Sequence, residues 1–236
     1  MSNFNEAIFV RPRWEDSKVN ARFEYLMDYA YWTGAEIVDY SHNDDLRIHE
    51  LNESRANRNE LKNFLDFYNP RFFFHFSHGG ADLLTGQDMS VLISCNDFNE
   101  NGIHYSANHI LLRNRVVYTL SCSSARELGP KTVELGCIAY IGYKDPLWAV
   151  TVKGPDKDFA LFEIWTGGAK QLISGENVEK TYDWLKRRYK YWINYWEMID
   201  ATSVPDAWVA PIIISVLEKN LKALTALGDL NATIRD

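Results

Sequence analysis

The chain has 236 residues, 46% hydrophobic and 14% aromatic, enough for one large α/β domain or two small ones. A formal net charge of -7 argues against non-specific nucleic-acid binding, and the basic triplet Lys186-Arg187-Arg188 reads as a solvated face of a helix. Cys95, Cys122 and Cys137 lack the close spacing of a zinc knuckle or a disulfide framework and suit a reducing compartment.

The first residues carry no basic region or long apolar run, so no secretory signal is expected. The late apolar run 210–217 contains a proline and is too short to span a bilayer. A soluble, cytoplasmic protein that binds neither membrane nor nucleic acid is expected.

In chain order, Ala7-Ile8-Phe9-Val10 reads as a first strand, ended by Arg11-Pro12. Asp16 or Ser17 caps a helix on which Phe23, Leu26, Met27, Ala30 and Tyr31 recur at helical spacing, and Gly34 ends it. Residues 35–40 read as the second strand and 41–53 as polar loop. Ser54 starts a second helix with Leu61, Phe64, Leu65 and Tyr68 on one face, and Asn69-Pro70 stops it. This alternation predicts a parallel sheet with helices on both faces.

The centre of the chain holds two short apolar runs, Phe72-Phe73-Phe74-His75-Phe76-Ser77 and Val116-Val117-Tyr118-Thr119-Leu120-Ser121. Aromatic and β-branched runs of this length read as strands buried on both faces. Between them, residues 87–96 suggest an excursion or hairpin before a turn at Asn99-Glu100-Asn101-Gly102, and Ser106 caps a short helix through Leu112. Residues 127–135 read as a helix ended by Gly136, and 137–143 as another buried strand. A loop follows over 144–155, then helices over 156–173, 177–199 and 207–227. Gly167-Gly168 weakens the first of these, and the stripe Tyr182, Leu185, Tyr189, Trp192, Trp196 on the second reads as core or as a partner face. With no linker or repeat, a single domain over 1–236 is expected, helical from about residue 177.

Each central run is followed by a reactive side chain: His78-Gly79-Gly80 after the first, Cys122-Ser123-Ser124 after the second. Ligands of parallel sheets bind beyond the carboxyl ends of the strands, so neighbouring strands would bring His78 and Cys122 into one crevice. A thiol ionises near ~8.5, and an adjacent imidazole can take its proton and return one to a leaving amine. Main-chain amides at Gly79 and Cys122 would form an oxyanion hole. His75, an odd number of positions from His78, points to the opposite face and reads as packed, which leaves no His75/His78 metal pair. His104 and His109 read as surface residues, and Cys95 and Cys137 as structural.

With these residues in view, the chain resembles the caspase-like cysteine peptidase clan, best its CHAT/separase branch. Ser77-His78-Gly79-Gly80 looks like the branch's histidine motif and Leu120-Ser121-Cys122-Ser123-Ser124 like its cysteine motif. The segment 136–142, then Leu147-Trp148-Ala149-Val150 and the helix ending near Gly175, resemble its glycine–strand–Leu-Trp-x-Val stretch. The resemblance spans residues 72–175. It implies a caspase-like three-layer α/β/α sandwich with a mainly parallel central sheet. It also implies an endopeptidase acting on protein substrates through Cys122 as nucleophile and His78 as base, without a cofactor or metal.

For specificity, the resemblance implies an acidic residue that binds Arg or Lys before the scissile bond. Asp156 and Asp158 are the nearest counterparts and Asp145 a second candidate, although Thr151-Val152-Lys153 stands where separases carry a Thr-Asp step. The gating repeat domains common in the family are missing from this sequence, so control by a partner subunit, ligand or oligomerisation is expected. Two alternatives stand beside this. One is a catalytically silent scaffold on the same fold. The other is a nucleotide-binding module, disfavoured because the first strand leads into Arg11-Pro12-Arg13-Trp14 and not a glycine-rich loop.

Overall fold

The computed structural model describes residues 3–13, 31, 33–41, 45–149, 159–200 and 207–235. Strand β1 (Asn3–Arg11) leads to helix α1 (residues 33–41), β2 (Arg47–Asn52), α2 (Arg58–Tyr68) and β3 (Pro70–Phe76). An excursion of two hairpins follows, β4 (Leu83–Thr85) with β5 (Val91–Ser94) and β6 (Phe98–Glu100) with β7 (Ile103–Tyr105). The chain then forms β8 (Val116–Leu120), α3 (Leu128–Glu134), β9 (Ala139–Tyr143), α4 (Phe159–Ile173), α5 (Val178–Asp200), α6 (Ala210–Ala223) and β10 (Leu224–Gly228).

Six strands make one sheet in the order β10-β9-β8-β3-β1-β2, parallel except for β10, which runs antiparallel along β9. The period-2 alternation of a strand divides the side chains between two cores. Ile8, Val10, Phe73, Val117 and Tyr140 pack with Leu61 and Leu65 of α2 and Leu128 of α3. Phe9, Phe72, Phe74, Tyr118, Ile141 and Tyr143 pack with residues of α1, α4, α5 and α6. The architecture is thus mixed α/β with helices on both faces of a mostly parallel sheet. Among the described residues no helix is long and apolar enough to cross a membrane.

The aromatic content is concentrated in this core. Phe9, Phe74 and Tyr118 stack across three adjacent strands, with ring centroids 4.3 and 5.2 Å apart. The stripe on α5 is core: Leu185, Tyr189 and Trp196 are buried, and the Tyr189 and Tyr143 hydroxyls lie 3.0 Å apart. Gly167-Gly168 does not interrupt α4. A Cβ on Gly168 would lie 2.5 Å from the Tyr118 hydroxyl, and one on Gly167 would lie 2.1 Å from the Trp184 ring, so the glycines let α4 approach the sheet and α5.

Several elements differ from expectation. Residues 35–40 are helical, and Thr33, Gly34, Ile37, Val38 and Ser41 are buried at helical spacing. Gly34 lies within α1 and does not end a helix; a Cβ there would meet the Phe9 ring at 2.6 Å and the Arg11 side chain at 2.7 Å. The expected capping residues Asp16 and Ser17 and the helix positions 23–30 lie outside the described residues. The second strand is β2, inside the expected loop. It is an edge strand whose polar residues have partners on β1: His49 and Arg47 pair with Glu6, and Glu50 with Arg11.

Further shifts are local. Helix α2 begins after Asn57, whose side chain accepts from the Asn59 and Glu60 amides, and not at Ser54. The helix expected after Ser106 is a single 3-10 turn, His109–Leu112. The last expected helix ends at Ala223, after which Leu224–Gly228 pairs with the open edge of β9. The turn at Asn101-Gly102 forms as expected, both residues with positive φ, 51° and 78°.

Candidate active site

Strands β3 and β8 are hydrogen-bonded parallel neighbours, paired from Phe72↔Val116 to Phe76↔Leu120. Ser77 and His78 follow the last paired residue of β3 as Ser121 and Cys122 follow that of β8. Both residues therefore lie just past the carboxyl ends of adjacent strands, next to the switch in strand order between β1 and β3.

The histidine turn packs directly on the cysteine strand. A Cβ on Gly79 would lie 2.9 Å from Ser121 Cβ and 3.4 Å from the Cys122 carbonyl oxygen, so close approach excludes a side chain there. The His78 carbonyl accepts from the Thr85 amide at 3.1 Å and the Thr85 hydroxyl at 3.0 Å. Gly79 and Leu84 form a bridge closed by the Gly80 and Thr85 amides, which leaves the Gly79 N–H on the opposite edge, outside that pairing.

The cysteine turn is fixed as firmly. Ser123 adopts φ 56°, which bends the chain sharply at the end of β8. Its amide donates to the Asp145 carbonyl at 3.1 Å, and the Ala125 amide to the Tyr143 carbonyl at 3.0 Å. Cys122 is half-buried, and its Sγ donates to the Leu147 carbonyl oxygen at 3.8 Å. Burial pushes the thiol up, opposed by the main-chain N–H groups of Leu147 and of Cys122 itself, which favour the thiolate. Burial also pushes His78 below the ordinary histidine value. At neutral pH the rim thus holds a neutral thiol and a neutral imidazole able to accept a proton.

Beneath the rim lies a second histidine in a closed network. His75 is wholly buried; its Nε2 donates to the Thr85 carbonyl at 2.8 Å, and its Nδ1 accepts from the Ser121 hydroxyl at 2.8 Å. The Ser121 oxygen accepts in turn from the Thr119 hydroxyl at 2.9 Å. The Thr85 carbonyl can only accept, which sets the tautomer. Burial pushes His75 down to about 4, opposed by the Thr85 hydrogen bond, while His78 nearby adds to the drop. His75 is therefore the packed residue its position in β3 predicts.

Of the acidic candidates, Asp145 lies beside the cysteine turn, but Arg126 already binds its carboxylate at 2.8 Å. Asp156 and Asp158 lie outside the described residues. Cys95 and Cys137 are buried, and burial pushes Cys137 up to about 12. His104 is exposed on β7, 3.7 Å from Asp97. Among the described residues no three His, Cys, Asp or Glu side chains are grouped to hold a metal ion.

Three contributors are absent from the sequence reading: Thr85, the Ser121 hydroxyl, and the Leu147 main chain. Ser121 adjoins Cys122 in sequence and could have been found from its inward parity on β8. Thr85 and Leu147 reach the site only through tertiary contacts. Comparison with protein-family models and with curated proteins returned no match.

Proposed function

We propose that the chain is a cysteine endopeptidase of the caspase-like, CHAT/separase type, with Cys122 as nucleophile and His78 as general base. The observation that supports this reading is that β3 and β8 are adjacent parallel strands, paired in register up to Phe76↔Leu120, with His78 and Cys122 each two residues beyond the last pair. His78 takes the thiol proton as sulfur attacks the scissile carbonyl carbon. The oxyanion is held by the Gly79 and Cys122 amides, the first of which lies outside the Gly79–Leu84 bridge. The intermediate collapses, His78 protonates the departing amine, and water then hydrolyses the acyl-thioester with His78 again as base.

For substrate choice we keep a preference for Arg or Lys before the scissile bond. Asp156, Asp158 and Asp145 are the acidic candidates, the last of them paired at the surface with Arg126. One observation favours a second reading, a silent scaffold on the same fold: the thiol donates to Leu147, and burial holds it protonated. Acylation requires that proton to pass to the imidazole.

The test is a panel of short peptides that differ only at the residue before the scissile bond, run beside a peptide electrophile. Cleavage after Arg or Lys, with labelling lost in Cys122→Ala, supports the peptidase. Cleavage only after acidic residues rejects the proposed specificity. Absence of both labelling and cleavage, in the presence of candidate partners as well, leaves the scaffold.

A further inference from the structure

The segment after β9 lies between the cysteine turn and the last helix, and its partners alternate along the chain. Toward the cysteine turn, the carbonyls of Tyr143, Asp145 and Leu147 accept from the Ala125 amide, the Ser123 amide and the Cys122 thiol. Toward α6, the Lys144 amide donates to the Ala223 carbonyl at 2.8 Å. The Trp148 amide donates to Asn220 Oδ1 at 2.9 Å, and Asn220 Nδ2 donates back to the Trp148 carbonyl at 2.7 Å.

Asn220 is 0% exposed, an amide buried in a helix whose other inward residues are mostly apolar. Its side chain pairs with both main-chain groups of Trp148 as a neighbouring strand would. In an extended chain the N–H and C=O of one residue face one edge, and those of the next residue face the other. Holding Trp148 against α6 therefore aims the main chain of Leu147 at the sulfur.

The geometry points to Asn220 as a positioning residue for Cys122: from the last helix it holds the Leu147 main chain over the thiol, and so sets how far the sulfur is covered. The inference rests on reading Cys122 as the nucleophile. It makes α6, far from Cys122 in sequence, part of the control of the site.

Peptide-resolved alkylation with iodoacetamide tests it on the full chain. Cys95 and Cys137 serve as internal reporters of global opening, because both are buried. In Asn220→Ala and Asn220→Asp we expect Cys122 to be labelled at least about tenfold faster, as loss of paired hydrogen bonds allows, with Cys95 and Cys137 unchanged. Val216→Ala, a core change on the same helix, should leave the ratio of Cys122 to Cys95 labelling as in the wild type. Unchanged Cys122 labelling, or labelling that rises only in step with Cys95 and Cys137, overturns the proposal.

If the variants do not fold, amide exchange in the wild type decides. The Trp148 N–H must be protected to the level of the central α6 amides, and fast exchange there rejects the clamp. Alkylation needs no substrate. Failed peptide cleavage would thus count against the peptidase and not against Asn220, and unchanged labelling would do the reverse.

Discussion

The two histidines of the β3 segment make an instructive pair. His75 and His78 stand close together and both are lowered by burial, yet their settings differ. His75 has both ring nitrogens engaged in a sealed network that ties β3 to Ser121 and to the β4 hairpin. His78 is half-buried on the rim, and its main-chain carbonyl is anchored by Thr85. Thr85 serves both residues: its carbonyl accepts a hydrogen bond from His75 Nε2, and its amide and hydroxyl donate to the His78 carbonyl. The lower layer thus supplies rigidity, and the upper layer holds a neutral, partly exposed imidazole. A fully satisfied buried network resists change, whereas a partly solvated rim can exchange protons.

The largest effect expected from breaking this division is on turnover. Cys122→Ala and His78→Ala should each lower kcat/KM for a cleaved peptide by about a thousandfold or more while thermal melting stays near wild type. His75→Ala should do the opposite, with a large loss of stability. A folded His75 variant with unchanged melting but no turnover would dissolve the distinction.

Next comes acid sensitivity. His75 falls from 6.5 to about 4 in the folded protein, so the unfolded chain takes up the proton first as pH drops. Stability present above pH ~6.5 should be lost on the way down to pH ~4, on the order of 3 kcal/mol in all. Urea unfolding at a series of pH values measures this, and His75→Phe should flatten that part of the slope.

A smaller change sharpens the picture. Ser121→Ala leaves the His75 Nδ1 buried without its donor and should cost about 1–3 kcal/mol in urea unfolding. The smallest effect belongs to the cysteine turn. Ser123→Val places a β-branched residue at φ 56° and should cost about 1–2 kcal/mol, whereas Ser123→Gly should melt at or above the wild type.

The centre of the sheet was legible because burial on both faces leaves its mark on every residue. The runs at Phe72 and Val116 could be little else, and the turn residues after them marked where each strand ends. The edges were harder to read. Strand β2 is stabilised by charges that meet partners on β1, so its residues look like loop when taken alone. Residues 35–40 have apolar spacing that suits a short strand as well as a helix, and only the packing of Gly34 against Phe9 identifies α1. Strand β10 looks like the continuation of α6, and it becomes a strand because β9 offers an unpaired edge.

By itself, the amino-acid order determined the central strands, most of the helices that follow them, and the presence of a histidine and a cysteine just past two strand ends. Only the tertiary structure decided that those strands are neighbours in register. It alone also showed that Asp145 is paired with Arg126, that the Cys122 thiol meets the Leu147 carbonyl, and that Asn220 binds the main chain of Trp148. The reason is physical: hydrophobic periodicity is a local property of a chain. A hydrogen bond between residues 72 positions apart leaves no trace in either neighbourhood until the fold brings them together.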